Sequence, residues 1–191
     1  LYARAEPAAK AVQSTRQEEI KGKIKAAAAG LELEGKIRQL EERLETNPEN
    51  KTLREQLLRL LVAEGDCPAR AAKHVSEGTE EPLRTNVPLA AKEVKELSED
   101  QCLVLGNWYA GLGDKAAKPA KAKMLIRART YYLQYLEVHQ AEDGPREKAV
   151  KALEETNKEL ARIDPDAGGP GPRASPPFDA KEAAKQIHPK I

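Results

Sequence analysis

From residue 20 to residue 163 the apolar residues of this chain return every three or four positions, and almost nowhere do they alternate. That period lines one face of a helix, whereas a half-buried strand needs a period of two. Ile20, Ile24, Ala27 and Leu31 follow at spacings of four, three and four, and Ile37, Leu40 and Leu44 repeat the rhythm after a phase shift. A chain patterned this way offers no face for a sheet to bury, so the fold class read from it is all-α. Composition narrows the field further. No run approaches the ~18 consecutive apolar residues of a membrane-spanning helix, so none is expected. Lys plus Arg number 32 against 31 Asp plus Glu, and a net charge this near zero gives no sign of a general nucleic-acid binder. Two cysteines are too few for a disulfide framework.

The chain divides into three stretches. Residues 1–46 read as an N-terminal helical arm, rich in Ala, Glu, Lys, Gln and Arg, all good helix formers. Gly22, Gly30 and Gly35 weaken it, and a kink or break is expected near Gly30. Thr46-Asn47-Pro48 ends it, because the residue before proline avoids the helical region. The first residue is Leu1 rather than Met, which reads as a processed product or part of something longer. Ala3-Arg4-Ala5 is a small-x-small pattern of the kind that precedes signal cleavage, without its hydrophobic region.

Residues 47–163 read as the helical body. Leu53, Leu57, Leu60 and Leu61 make an apolar stripe that Leu58 and Val62 widen, stopped by Gly65-Asp66. Pro68 then opens a second helix, with Ala71, Ala72 and Val75 facing back and Gly78 ending it. Residues 79–97 read as a loop with one or two short helices, the second opened by Pro88. Ser98 and Gln101 have the spacing of a capping box. Cys102, Leu105 and Tyr109 follow on one face, and Gly111–Gly113 ends that helix. A Lys/Ala stretch from Lys115 to Lys123 leads into a helix from about Ala120 to Val138. Its apolar face is Met124, Leu125, Ala128, Tyr131, Tyr132, Tyr135 and Leu136. After Asp143-Gly144-Pro145 a last helix turns Ala149, Leu153, Leu160 and Ile163 inward.

Residues 164–191 change character. Gly168-Gly169-Pro170-Gly171-Pro172 and Ser175-Pro176-Pro177 cannot build a packed core and read as an extended Pro/Gly-rich linker or tail. Ala180 to Ile187 can form one short helix.

The two hairpins of the body match each other. Leu105-Gly106, Tyr109, and Ala128 with Tyr132 four residues on resemble the tetratricopeptide pattern. In the first hairpin Leu58 and Ala71 lie 13 residues apart, the spacing that pattern expects, and Val75 takes the large-residue place. Leu105 and Ala128 lie 23 apart, so about ten residues are inserted, namely the Lys/Ala stretch. A narrower resemblance rests on Cys102-Leu103-Val104-Leu105-Gly106-Asn107-Trp108-Tyr109 followed by Arg127-Ala128-Arg129-Thr130-Tyr131-Tyr132. This is similar to a helical module of exported planctomycete proteins with an "LGdWY … RA..YY" helix pair, over roughly Asn47 to Leu160. The resemblance implies a tetratricopeptide-like adaptor outside the cytoplasm, periplasmic or at the cell surface, with no catalytic residues to carry over.

Chemistry-bearing residues are sparse. His74, His139 and His188 are not at metal spacing and lie near no cysteine in sequence, so neither metal nor cofactor is expected. Gly111-Leu112-Gly113-Asp114 lacks the Gly-Lys-Ser/Thr of a phosphate loop. Asn50-Lys51-Thr52 spells a glycosylation sequon. Trp108, Tyr109, Tyr131, Tyr132 and Tyr135 read as hairpin core rather than an aromatic ligand surface, together with Leu58, Ala71, Leu105 and Ala128. Trp108 is expected to be buried between its two helices. Lys115, Lys118, Lys121, Lys123, Arg127 and Arg129 form a basic run with no acid between them. It can contact an anionic partner such as an acidic tail or wall polymer, or be a solvated face balanced by Glu137, Glu142 and Asp143. Cys67 and Cys102 sit at starts of helices that should lie at opposite ends of the stack, so two unbridged thiols are expected.

The function that follows is a non-catalytic protein–protein interaction or scaffolding module, not an enzyme. The alternatives are a structural subunit of a larger extracytoplasmic assembly, or an accessory region of a longer secreted protein. The arm's seam is too narrow to be covered twice and too apolar to stay bare. A further expectation is therefore that a neighbouring copy or a larger partner holds the arm and tail.

Overall fold

A computed structural model describes residues 2–114 and 116–164, with side chains for residues 16–18, 20–114 and 116–164. Seven α-helices make up the described chain, and no strand occurs among the described residues. They are α1 (Tyr2–Thr46), α2 (Lys51–Arg59), α3 (Pro68–Ala72), α4 (Glu81–Ala90), α5 (Glu99–Asp114), α6 (Lys118–Val138) and α7 (Gly144–Ile163). A π-helical turn, Leu60–Glu64, continues α2, and a 3₁₀ turn, Val94–Glu96, precedes α5.

The arm is one unbroken helix: α1 runs through Gly22, Gly30 and Gly35 without the break expected at Gly30. Ala and charged helix formers on either side offset what each glycine costs. Among its described side chains, those of its last third meet the body, where Ile37 and Leu44 are buried and Leu33 and Leu40 half-buried. Asn50 caps α2, its side chain accepting from the Leu53 amide at 3.1 Å. Leu53, Leu57, Leu58, Leu61 and Val62 then enter a core that runs from Ile37 on α1 to Ala149 on α7.

The turn after the π-helical segment holds the one described non-glycine residue with positive φ, Asp66 at 54°. Asp tolerates this left-handed conformation better than most residues, and Arg127 on α6 donates to both its carboxylate and its backbone oxygen. The second helix of this hairpin is shorter than its sequence pattern implies. α3 stops at Ala72 instead of reaching Gly78. Thr79 is buried beyond it, its hydroxyl accepting from the Ser76 amide at 2.9 Å. Pro88 also departs from expectation, lying inside α4 rather than opening a helix, while Pro82 takes the first turn.

α5 begins at the capping box: the Ser98 amide donates to Gln101 Oε1 at 3.0 Å and the Gln101 amide to Ser98 Oγ at 3.3 Å. Gly111 and Gly113 do not end it, and the helix continues to Asp114. Gly113 is buried, and a Cβ there would meet Leu125 and Met124 at 3.4–3.5 Å. Helix α6 starts at Lys118, with Pro119 in its first turn. The Lys/Ala stretch is therefore mostly helix, with residues 115–117 between α5 and α6. Closest of all is the approach at Gly106, where a Cβ would stand 2.6 Å from Tyr132 Cε1.

Leu58, Ala71, Leu105, Tyr109, Ala128 and Tyr132 are all buried. Trp108 is not: it is half-buried at the margin of the core, edge-on to Tyr109 at 4.8 Å and 65°. On a helix of 3.6 residues per turn it sits roughly 100° from the centre of the Cys102–Leu105–Tyr109 face, which leaves the indole at the rim. Cys102 is buried and Cys67 exposed, and both are free thiols.

Candidate interaction surface

The last third of α1 is fixed to the body by charge as well as by its apolar stripe. Arg70, on α3, forks between two α1 carboxylates. Its Nη1 donates to Glu34 at 3.0 Å, and its Nε and Nη2 to Glu41 at 2.9 and 2.6 Å. His74 Nε2 lies 3.3 Å from Glu41. The Arg70 hydrogen bonds, with a smaller one from His74, hold the Glu41 carboxyl below the usual carboxylate range. A guanidinium that meets two carboxylates in this way fixes direction as well as distance.

Held there, α1 overhangs the body and encloses a cleft of about 1050 Å³. One wall is α1 itself, through Ala26, Ala29, Gly30, Leu33 and Leu40. The floor is Leu60, Ala63 and Leu112, and the far wall is Ala116, Ala117, Pro119 and Ala120. Lys36, Gln39, Gln56, Arg59, Glu64 and Lys123 stand around the rim. The wall residues of α1 continue the stripe that buries Ile37 and Leu44 lower down, since 26, 29, 30, 33, 37, 40 and 44 share one helix face. The same stripe is covered at its lower end and open at its upper end.

A second apolar feature lies on the other side of the same helix. Ile20, Ile24 and Leu31 are 50%, 64% and 77% exposed. At about 100° per residue, this seam is rotated roughly 140° from the body-facing stripe. The phase shift in the sequence thus separates two faces of α1, one that packs on the body and one left exposed among the described residues. Between residues 26 and 31 the helix carries no charge on any side.

The basic run is split by its surroundings. Lys121 pairs with Glu159 of α7 at 2.7 Å, and Lys123 donates to the Glu64 carbonyl at 2.6 Å. Arg127 is paired with Asp66 and lies 5.9 Å over the Tyr109 ring. Three of the six cations thus tie α6 to the first hairpin and to α7. Lys118 is exposed at the start of α6 and Arg129 half-buried beyond. Lys115 lies outside the described residues, as do His188, the 180–187 segment and the side chains of Ala3-Arg4-Ala5.

The tyrosines stack within the core: Tyr109 and Tyr131 lie 5.7 Å apart at 19°. Burial pushes the phenols up, Tyr132 to about 12, and Tyr132 donates to Asn107 at 2.9 Å. Such groups stay protonated at neutral pH. His139 is held between Glu99 at 3.1 Å and Asp143 at 3.0 Å, stacked on Tyr135. Its hydrogen bond to Asp143, before that to Glu99, raises its pKa. Among the described residues no three His, Cys, Asp or Glu side chains are grouped to hold a metal ion, and no helix is long and apolar enough to cross a membrane. A smaller cleft of about 500 Å³ between α5, α6 and α7 is lined by charged residues, among them Asp114, Lys121, Glu159 and Arg162, and by apolar ones such as Ala110, Leu125 and Ala152.

No protein-family model, no curated protein and no solved structure matches this chain.

Sequence reasoning found the seam and the basic run but not the cleft. Most of its wall residues are alanines, with Gly30, drawn from residues 26–120, and small residues leave no periodic signal in the sequence.

Proposed function

We propose that this chain is a non-catalytic interaction module whose cleft takes up an apolar helical segment. The observation that carries this reading is the open end of the α1 stripe. Ala26, Ala29 and Gly30, which continue a buried stripe, stand exposed on a cleft of about 1050 Å³ whose other side carries Ala116, Ala117, Pro119 and Ala120. Small residues on both walls suit it for a helix, because they let backbones approach closely. Tetratricopeptide-like organisation is part of the same reading. Its support is the α5–α6 pair, where Gly106 meets Tyr132 and Ala128 is fully buried. An exported setting rests on the resemblance of Cys102–Tyr109 and Arg127–Tyr132 alone, and cell fractionation checks it.

Panning a displayed library of helical peptides on the full chain tests the cleft. Enriched peptides should share apolar residues at i, i+3 or i+4, and i+7. They should lose at least about tenfold in affinity, or ~1.4 kcal/mol, on an Ala29→Arg variant. Ala29 is exposed on a helix, so this change spares the fold. Peptides that bind both proteins equally, or no enrichment at all, would overturn the reading.

A second reading, a subunit of a larger assembly, is favoured by the Ile20–Ile24–Leu31 seam. Light scattering on the full chain and on an Ile24→Glu variant decides it: a defined oligomer lost in the variant supports assembly, and a monomer in both removes it.

A further inference from the structure

The exposed seam of α1 has a register and a charge order of its own. Ile20, Ile24, Ala27 and Leu31 follow at four, three and four, the repeat by which paired helices seat one another's side chains in successive layers. All four are exposed. From Ile20 to Leu31 every charged residue is a lysine, at 21, 23 and 25, and the next two charges are Glu32 and Glu34. Glu34 is held by Arg70. Glu32 is paired only at the surface, with Lys36 at 2.8 Å, and Lys21 likewise with Glu18 at 2.9 Å. Pairs this exposed contribute little, so either residue can turn to a new partner.

The geometry points to a second copy of this chain as the occupant of the seam, laid antiparallel about a two-fold axis that crosses α1 between Lys25 and Ala26. This inference rests on the assembly reading above and names the partner, its direction and its register. Ile20 of each copy meets the other copy's Leu31, and Ile24 meets the other copy's Ala27. Every layer then holds a bulky residue, and Ala27 lets the two backbones approach. A parallel pairing in register would oppose Ala27 to Ala27, leaving that layer empty, and would set the three lysines beside their own copies. Laid antiparallel, Lys21 comes within about 3 Å, along the axis, of the other copy's Glu32. The basic block of each helix thus lies beside the acidic residues that follow the seam in the other.

Such a contact uses the same patch on both copies, so it closes at two chains and builds no filament. It is short, in the class of interfaces below about 1,200 Å², and the dimer therefore forms and dissociates with concentration. Its consequence for the module is bivalence. The body-facing stretches Leu33–Leu44 of the two copies come to lie about 39 Å apart along the paired helices. A partner carrying two apolar helices at a matching separation gains from engaging both clefts at once.

Light scattering on the full chain across a wide concentration range, and distances between spin labels on its two copies, test this. The scattering mass should rise from that of one chain toward that of two, and Ile24→Glu should hold it at one. The label goes on Glu42→Cys in a Cys67→Ser background, because Glu42 is exposed and Cys102 is buried. Glu42 lies on the seam's side of α1, beyond its C-terminal end, so it reads direction. Labels on antiparallel copies should stand about 50 Å apart, and on parallel copies under about 25 Å. A mass of one chain at every concentration overturns this inference together with the assembly reading. An oligomer with labels under about 25 Å apart, or with more than two chains, overturns the antiparallel dimer and leaves the assembly reading standing. An oligomer that survives Ile24→Glu puts the contact elsewhere and overturns the seam as its interface.

Discussion

The ring of Tyr132 occupies the place where a side chain on Gly106 would begin: a Cβ there would stand 2.6 Å from Tyr132 Cε1 and 2.7 Å from Cδ1. Both residues are buried, and the ring is held by its hydrogen bond to Asn107 at 2.9 Å. The approach of α5 to α6 is therefore set by a glycine facing an aromatic ring. Gly106→Ala gains about 1 kcal/mol of helix propensity but overpacks a closed site, which costs about 1–3 kcal/mol. Urea unfolding should show a net loss of up to about 2 kcal/mol. Tyr132→Leu in the same chain should recover part of that loss, so that the two changes together cost less than their sum. Strict additivity would show that the two sites do not meet.

Arg70 is expected to set the position of α1. Replacing it with Leu leaves Glu34 and Glu41 without their shared partner and should cost about 1–2 kcal/mol, since all three side chains are partly exposed. Hydrogen exchange should accelerate along residues 33–44 while α5 and α6 keep their protection. Arg70→Lys should recover less than half, because an ammonium cannot fork between two carboxylates. Unchanged exchange in α1 would mean that Ile37 and Leu44 hold the helix without help.

Asp66 should show a graded response that separates backbone conformation from charge. Asp66→Ala loses both tolerance of φ 54° and the Arg127 contact, and should cost about 2–3 kcal/mol. Asp66→Gly keeps the backbone freedom and should cost about 1 kcal/mol less. If Gly and Ala are equally damaging in thermal unfolding, the ion pair alone holds the turn.

His139 gives the fold a pH dependence of known sign. Its pKa is raised by Asp143 and Glu99, so its contribution is complete below the ordinary histidine range. It is lost as pH rises through the higher folded value. The Asp143 carboxyl is lowered, first by the Arg146 amide and then by His139. Its contribution is present above the ordinary carboxylate range and fades in acid. Thermal stability should therefore fall as pH rises from about 6 to 8, and His139→Gln should flatten that slope while leaving the part of the acid limb that the Arg146 amide supports. A slope that survives the substitution would place the titrating group elsewhere.

The glycines of α1 offer a test that separates fold from binding. A Cβ on Gly30 or Gly35 would meet nothing within 4 Å, so Ala at either should stabilise the helix by up to about 1 kcal/mol. Gly30 faces the cleft and Gly35 does not line it. Circular dichroism should rise for both variants, whereas affinity for cleft-binding peptides should drop for Gly30→Ala alone.

Where local chemistry decided an outcome, the sequence was readable. The Ser98–Gln101 box opens α5 as its spacing implies, and the phase shift after Leu31 marks where α1 changes partners. Where packing decided, it was not. Gly113 looks like a terminator, yet it is buried against Leu125 and Met124. Those contacts keep α5 helical to Asp114. Trp108 looks like core by its size, but its angular position on α5 puts it at the rim. The basic run reads as one surface feature, yet Lys121, Lys123 and Arg127 each turn to a different element. The cleft needed α1 to be aimed by Arg70, a residue about 40 positions from the alanines it positions.

The fixation of α1 also has a mechanical side. Its contacts cluster between Leu33 and Leu44, so that Ile37 lies between the two clamped carboxylates, Glu34 about 4.5 Å to one side and Glu41 about 6 Å to the other, with Ile20 about 25 Å away beyond Glu34. A rod pivoted there multiplies displacement about fourfold. Ångström-scale slack at the Arg70 clamp sweeps the seam at Ile20 through several ångströms, and a load applied to the seam returns to the clamp with the same leverage. What grips the arm and what opens the cleft are thereby geared together.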